Sequence, residues 1–274
     1  MKTAAKILRI AAIVVICLLC IMPFYILLVL ALNSPQRIFY EGNIFVPDFY
    51  WQNFVDAWNK SKIGTAMLNS AIITAGSLVL TIVTGGLAGY AIARHNTRYN
   101  KLVFGLLLSC MMIPGIINTV PLYTLMRKIQ AINTLWGMIL VCSTLAMPSA
   151  VFIYTTFIRA LPKELDEAAA LDGCTGFSAF WRDIFPLIRP ATAAFVILNG
   201  FGIWNNYAQA VFFLQSREKQ NIPQALSVFF QQFAGAKWHL MAATAAIAIV
   251  PVVVIFLVFQ KQFMKGLAEG AVKG

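Results

Sequence analysis

Residues Ile10–Leu32 read IAAIVVICLLCIMPFYILLVLAL, 23 residues without a charge. About 20 consecutive apolar residues are what an α-helix needs to cross the hydrocarbon of a bilayer. Lys2, Lys6 and Arg9 precede the run, as they would in a secretory leader. The run is longer than a leader's apolar stretch, however, and no small-x-small cleavage site closes it. It is therefore expected to remain in the chain as a membrane helix. Cys17 and Cys20 form a C-x-x-C inside it. Thiols at that depth with no polar neighbours are expected to be small packing residues, not a redox or metal pair.

The rest of the chain has the same character. Of 274 residues, 60% are hydrophobic and 11% charged, and the mean hydropathy is +0.77. A water-soluble domain carries about twice that share of charge. The net charge of +11 does not point to nucleic acid, because the bases sit between apolar stretches instead of on a soluble surface. Five cysteines, four of them in apolar stretches, suggest no disulfide framework.

Five further stretches lack Asp, Glu, Lys and Arg: Ala66–Ala93, Leu102–Leu125, Leu135–Ile158, Pro190–Gln209 and Leu240–Phe259. Their continuous apolar character excludes a barrel, whose strands alternate, and lipid demands helices. The expectation is an all-α polytopic protein with six transmembrane helices. Ile222–Ala236 is uncharged but short and Gln-rich, and is placed outside as a partly buried or re-entrant segment. Gly85 and Gly89 make a G-x-x-x-G for close helix packing. Pro114–Gly115, Pro121, Pro148 and Pro251 mark kinks. With the N-terminus inside, thirteen Lys and Arg fall on cytoplasmic pieces and eight on the longer outer ones. The positive-inside rule then puts both termini in the cytoplasm. No span carries a charged residue, which argues against a proton- or sodium-coupled carrier.

One connection differs from the others. Leu161–Ala191 reads LPKELDEAAALDGCTGFSAFWRDIFPLIRPA. Pro162 suits a helix start, acids crowd the first turns, and Gly173 suits a helix end. A second short helix is expected over Gly176 to Phe185, stopped by Pro186. An amphipathic helix lying on the bilayer is usually basic, whereas this one is acidic. Its alanines and glycine fit close docking into a groove on a partner.

Glu167-Ala168-Ala169, three residues, Gly173, nine residues and an ending at Pro186 resemble the EAA signature of ABC importer permeases. The signature's tail usually carries Ile and Leu where Asp183 and Phe185 stand. Other strings resemble the carbohydrate, maltose-type branch. These are YWQNFVDAW (50–58), LNSAIIT (68–74), VPLYTLMRKIQAINT (120–134) and KGLAEGAVKG (265–274). Trp204-Asn205 resembles a W-N-[DE]-[FY] pattern, with Asn206 in place of the acid. The resemblance implies a MetI-like permease fold spanning residues 1–274 as one domain. Its coupling loop would cover about 160–189 and its outer loops about 33–65 and 210–238. It implies that Glu164, Glu167, Ala168, Ala169, Leu171, Asp172 and Gly173 contact a separate ATPase. It also implies a second homologous permease in a pseudo-twofold pair, two ATPase subunits and an extracytoplasmic sugar-binding protein, all at the bacterial inner membrane with lipid around them. No phosphate loop G-x-x-x-x-G-K-[ST] occurs in the chain, so ATP and magnesium are expected on the partner ATPase and no cofactor on this chain.

Asn199, Trp204, Asn205, Asn206 and Tyr207, with Gln209, combine amides and aromatic rings, as sugar recognition requires. Interhelical hydrogen bonding and an interfacial belt explain Asn205 equally well and are the favoured reading of the others. Asn69, Ser70, Asn118 and Thr119 are weaker candidates of the same kind, and His239 is expected at an interface. The outer loops serve either as partner contacts or as plain caps on the bundle.

Overall fold

Helices make up the regular structure among the residues described by the computed structural model, which are 2–36, 45–230 and 237–271, and no strand occurs among them. The chain divides into two compact units.

The first unit comprises residues 1–64 and 224–254. Helix α1, Lys2–Leu32, is the apolar run that opens the chain. Its outer surface is bare of protein contacts along most of its length, as a helix facing lipid should be. Its end is held from α2, Gln52–Ser61. There the buried Asn53 amide donates to Ala31 O at 2.9 Å and Asn33 O at 2.8 Å. These bonds satisfy carbonyls left over at a helix terminus, which gives the YWQNFVDAW string a structural reason. Ala31, Ala57, Ala242 and Ala243 pack together, small residues that let backbones approach.

The second unit, 65–223 and 255–274, is built around two long helices. Helix α3 is Ile63–Arg94, its first two residues being counted with the first unit. Helices α4, Arg98–Cys110, and α5, Thr119–Lys128, follow, and then α6, Leu135–Arg159. Gly85 and Gly89 of α3 lie directly against Ala150 and Tyr154 of α6. A Cβ at either glycine would stand 2.7 Å from the facing side chain. Gly76 meets Ile139 in the same way. The two helices run in the same direction along this seam, so both end at one face of the unit. Ser143 Oγ donates to Ser77 O at 3.3 Å across it. The G-x-x-x-G is therefore a packing device.

Three helices are long and apolar enough to cross a membrane among the described residues: Lys6–Leu32, Ile63–Arg94 and Leu135–Arg159. A fourth arises if Gly176–Leu187 and Arg189–Trp204, bent by 76°, count as one span. The expected third span, Leu102–Leu125, is instead broken. Helix α4 ends at Cys110, the chain turns through Pro114–Gly115, and α5 starts at Thr119. Proline has no N–H to donate and disfavours helical backbone at the residue before it. The expected fifth span stops at Trp204, short of Gln209. The sixth begins two residues early, in the helix Trp238–Ala271, whose apolar part is Trp238–Val254. Part of the outer loop 33–65, the end of the Ile222–Ala236 segment and the last residues of the KGLAEGAVKG string lie outside the described residues. What is described of Ile222–Ala236 includes a short helix, Ile222–Ser227, with Ile222 and Ala225 buried.

Candidate partner-docking site

The connection after α6 folds as two short helices. Helix α7, Glu164–Leu171, has Glu164, Asp166 and Glu167 in its first turn, where the helix dipole favours negative charge. It ends in a Schellman motif: Gly173 N donates to Ala170 O at 3.0 Å and Cys174 N to Ala169 O at 2.9 Å. That geometry needs a left-handed residue, and Gly173 supplies it with φ +79. Among the described residues nothing lies within 4 Å of a Cβ built on Gly173, so conformation and not packing against them demands glycine there. Thr175 then caps the next helix, α8, Gly176–Ala179, by accepting from Ser178 N.

Two anchors hold this element. The first is Asp166. Tyr90 Oη donates to its Oδ1 at 2.6 Å, and Arg94 Nε lies 2.7 Å from its Oδ2. The same guanidinium reaches Leu161 O at 3.1 Å and Pro162 O at 3.3 Å. One cation at the end of α3 thus fixes both the entry of the chain and the first turn of α7. The second anchor is apolar. Phe180 and Ile184 are fully buried with Tyr154, Ile158 and Phe195. The Phe180 ring sits 5.5 Å from Tyr90, 4.9 Å from Trp181 and 5.8 Å from Phe185. A Cβ at Gly86 would come within 3.1 Å of the Phe180 ring, so that glycine makes its room.

Residues Phe180–Ile184 form a π-helical turn. This wider turn shifts the facing of the residues that follow. Ile184, next to the off-pattern Asp183, takes the buried place, and Phe185 packs on Trp181 at 4.9 Å. Pro186 does not stop the helix as expected. It sits in the first turn of a further short stretch, α9, Phe185–Leu187, where a missing N–H costs little. Asp183 Oδ2 is buried without a hydrogen-bond partner among the described residues.

Six of the seven residues singled out in the sequence face outward: Glu164, Glu167, Ala168, Leu171, Asp172 and Gly173. Ala169, 4% exposed, faces inward. Leu171 is 90% exposed and Phe177 64%. Two large apolar side chains standing out of an acidic, small-residue surface have the composition of interface anchors. The sequence did not single out Tyr90, Arg94 or Asp166, and Arg94 figured only among the thirteen cytoplasmic cations.

The amide-rich end of α10, Arg189–Trp204, divides into inward and outward residues. Asn199 Nδ2 donates to Ser149 Oγ and Phe195 O, both at 3.3 Å. Asn206 Oδ1 accepts from Gln209 N at 3.0 Å, and its Nδ2 approaches Cys142 Sγ at 3.8 Å. Gln209 is buried and reaches Gly115 O at 3.3 Å, while Thr119 Oγ1 donates to its Oε1 at 3.3 Å. These are internal ties. Asn205 and Tyr207 are exposed and Trp204 half-buried, and among the described residues the Asn205 side chain bonds only to Phe201 O, one turn back. Asn69 and Ser70 hold the chain at 218–222. Asn118 stands before α5 without making a side-chain cap bond. His239 is buried within its own chain. No group of His, Cys, Asp and Glu suited to a metal occurs among the described residues.

Residues 82–269 match the family model described as "Binding-protein-dependent transport system inner membrane component". The chain is 42% identical to the melibiose/raffinose/stachyose import permease protein MelC of Bacillus subtilis (strain 168), over 92% of this chain and 91% of that relative. It is 35% identical to the arabinooligosaccharides transport system permease protein AraQ of Halalkalibacterium halodurans, over 75% of this chain and 73% of that relative. Its fold is similar to a chain in the crystal structure of a bacterial ABC transporter involved in the import of the acidic polysaccharide alginate. That match has a TM-score of 0.77 at 18% identity and covers 95% and 96% of the two chains.

Proposed function

Because the chain belongs to the family of binding-protein-dependent transport system inner membrane components, we propose that it is the permease subunit of an ATP-driven importer of oligosaccharides or related glycans. It is an integral membrane protein and a non-catalytic component of such a transporter. The observation that carries the carbohydrate reading is the 42% identity to a melibiose/raffinose/stachyose permease along nearly all of both chains. A self-contained carrier or channel, the competing reading of such a composition, gains no support from any relative.

In this reading the chain is one permease domain with six membrane crossings in the inner membrane and both termini in the cytoplasm. The broken segment 98–128 and the Trp238–Ala271 helix contribute crossings in the assembled transporter. A second homologous permease completes the pathway, a binding protein delivers the sugar from outside, and two ATPase subunits carry ATP and magnesium. A solved ABC importer with a related fold is described in complex with a pentasaccharide-bound periplasmic protein, which supports that arrangement.

The outward face of α7 is the element that receives work from the ATPase. Its acids, Ala168 and Leu171 enter a groove on that partner. A displacement of α7 passes through Asp166 to Arg94 at the end of a spanning helix, and through Phe180 to the helix seam. Such transmission needs a rigid loop, and two anchors that meet at Tyr90 make it rigid. At the other end of α10, Trp204, Asn205 and Tyr207 offer rings and a free amide carbonyl to a passing sugar. Proteoliposomes holding the chain with its partner subunits should take up labelled oligosaccharide only with ATP inside. ATP-independent uptake by the chain alone would contradict the proposal.

A further inference from the structure

The face at which α3 and α6 end carries a second feature, separate from the anchors of α7. A cavity of about 450 Å³ opens among Ile92 and Ala93 of α3, Lys101 and Phe104 of α4, Arg159 at the end of α6, and Lys163 just before α7. Three cations line it and no acidic residue does. None of the three pairs with a carboxylate among the described residues. The Arg159 guanidinium lies 5.1 Å from the centroid of the Phe104 ring, which holds it over the cavity wall and leaves its donors for another group.

All three side chains are exposed, so their donors are open to an anion from outside, and their shared sign favours one. A phosphate ester matches them, since Arg and Lys both bind phosphate oxygens strongly. The apolar surroundings narrow the class. Leu102, Val103 and Leu106 of α4 are exposed, and they continue from Lys101 along the same short helix. Both long helices that wall the cavity are membrane spans ending at this level. A free phosphate or a nucleotide has no use for that apolar strip, whereas acyl chains do. We propose that this cavity binds the headgroup phosphate of a negatively charged phospholipid, with its acyl chains lying along α4. Lys163 immediately precedes α7, so an occupied site steadies the residue at which the docking loop begins.

The test uses the full-length chain purified in mild detergent and in nanodiscs of defined lipid. Native mass spectrometry counts the phospholipid retained. The wild type should keep phosphatidylglycerol or cardiolipin in preference to phosphatidylethanolamine. The combined Lys101→Gln, Arg159→Gln and Lys163→Gln variant should bind it roughly a hundredfold more weakly, at about fivefold per cation. Lys101→Arg with Lys163→Arg should keep it. If the neutral triple variant fails to fold, Lys101→Gln and Arg159→Gln are read singly, each for its fivefold share. Unchanged retention in these variants, or equal retention of zwitterionic lipid by the wild type, overturns the proposal. Displacement of the bound species by millimolar inorganic phosphate also overturns it, in favour of a soluble phosphate ester.

Discussion

Arg94 Nε stands 2.7 Å from Asp166 Oδ2. The arginine side chain is 8% exposed and the aspartate side chain 23%. This pair ties the end of a membrane span to the first turn of the helix proposed to meet the ATPase. Its geometry explains why an acidic residue that does not face outward belongs in that helix.

Arg94→Ala should free the loop without removing the protein from the membrane. Its cost in stability should fall between the ~1 kcal/mol of an exposed pair and the ~3–5 kcal/mol of a buried one. Transport should fall further than thermal stability does, because Leu161 and Pro162 also lose their donor. Asp166→Asn should show a milder form of the same split. The check is uptake measured alongside thermal unfolding in detergent. Equal loss of both would make the pair purely structural.

Gly173 separates conformation from contact. Alanine at φ +79 carries left-handed strain of about 1–2 kcal/mol, and Asn, which tolerates that region, carries less. A Cβ at this position meets nothing within 4 Å among the described residues. Gly173→Asn should therefore leave the fold intact. A bulky Gly173→Trp should release the ATPase from the purified assembly by more than backbone strain accounts for. Co-purification in normal amount with Gly173→Trp would remove this position from the docking surface.

The seam between α3 and α6 gives an internal comparison. Gly89→Leu forces side-chain atoms into Tyr154 and should destabilise by about 1–3 kcal/mol. Gly105→Ala, on α4 with open space around it, should be neutral or gain up to about 1 kcal/mol from helix propensity. Thermal unfolding of the two variants in detergent checks this, and a neutral Gly89→Leu would contradict the close approach of the two helices.

Neighbouring asparagines should behave differently. Asn206→Ala breaks the tie to Gln209 N and should cost about 1–2 kcal/mol in stability, with assembly impaired. Asn205→Ala removes only an i−4 bond to Phe201 O. It should leave stability within about 0.5 kcal/mol while raising the KM for sugar. Uptake kinetics unchanged in Asn205→Ala would take that residue out of the substrate path.

The legible parts of the fold are those set by local physics. Ile10–Leu32 and Leu135–Ile158 carry no charge; the first lies within a longer helix, Lys2–Leu32, and the second is a helix, Leu135–Arg159, one residue longer than expected. Gly173 announced a left-handed helix end, because few other residues adopt that backbone, and its φ is +79. Pro114–Gly115 was visible as punctuation. That it ends one helix and lets another begin depends on how the chain turns there, which composition does not encode. The α7 anchor was not legible at all. Tyr90 and Asp166 are 76 residues apart, and no local pattern links them. The amides of α10 were visible as polar residues in an apolar run. Which of them face Ser149, Cys142 or Gly115 is decided only once the helices pack.

The central claim is that the outward face of α7 meets the ATPase, and a photo-cross-linking residue tests it most directly. Placed at Leu171, 90% exposed, in the assembled importer, the label should join this chain to the ATPase subunit. Placed at Ala169, 4% exposed, it should not. Labelling of lipid or of the permease alone from position 171, with an intact and active importer, would contradict the account.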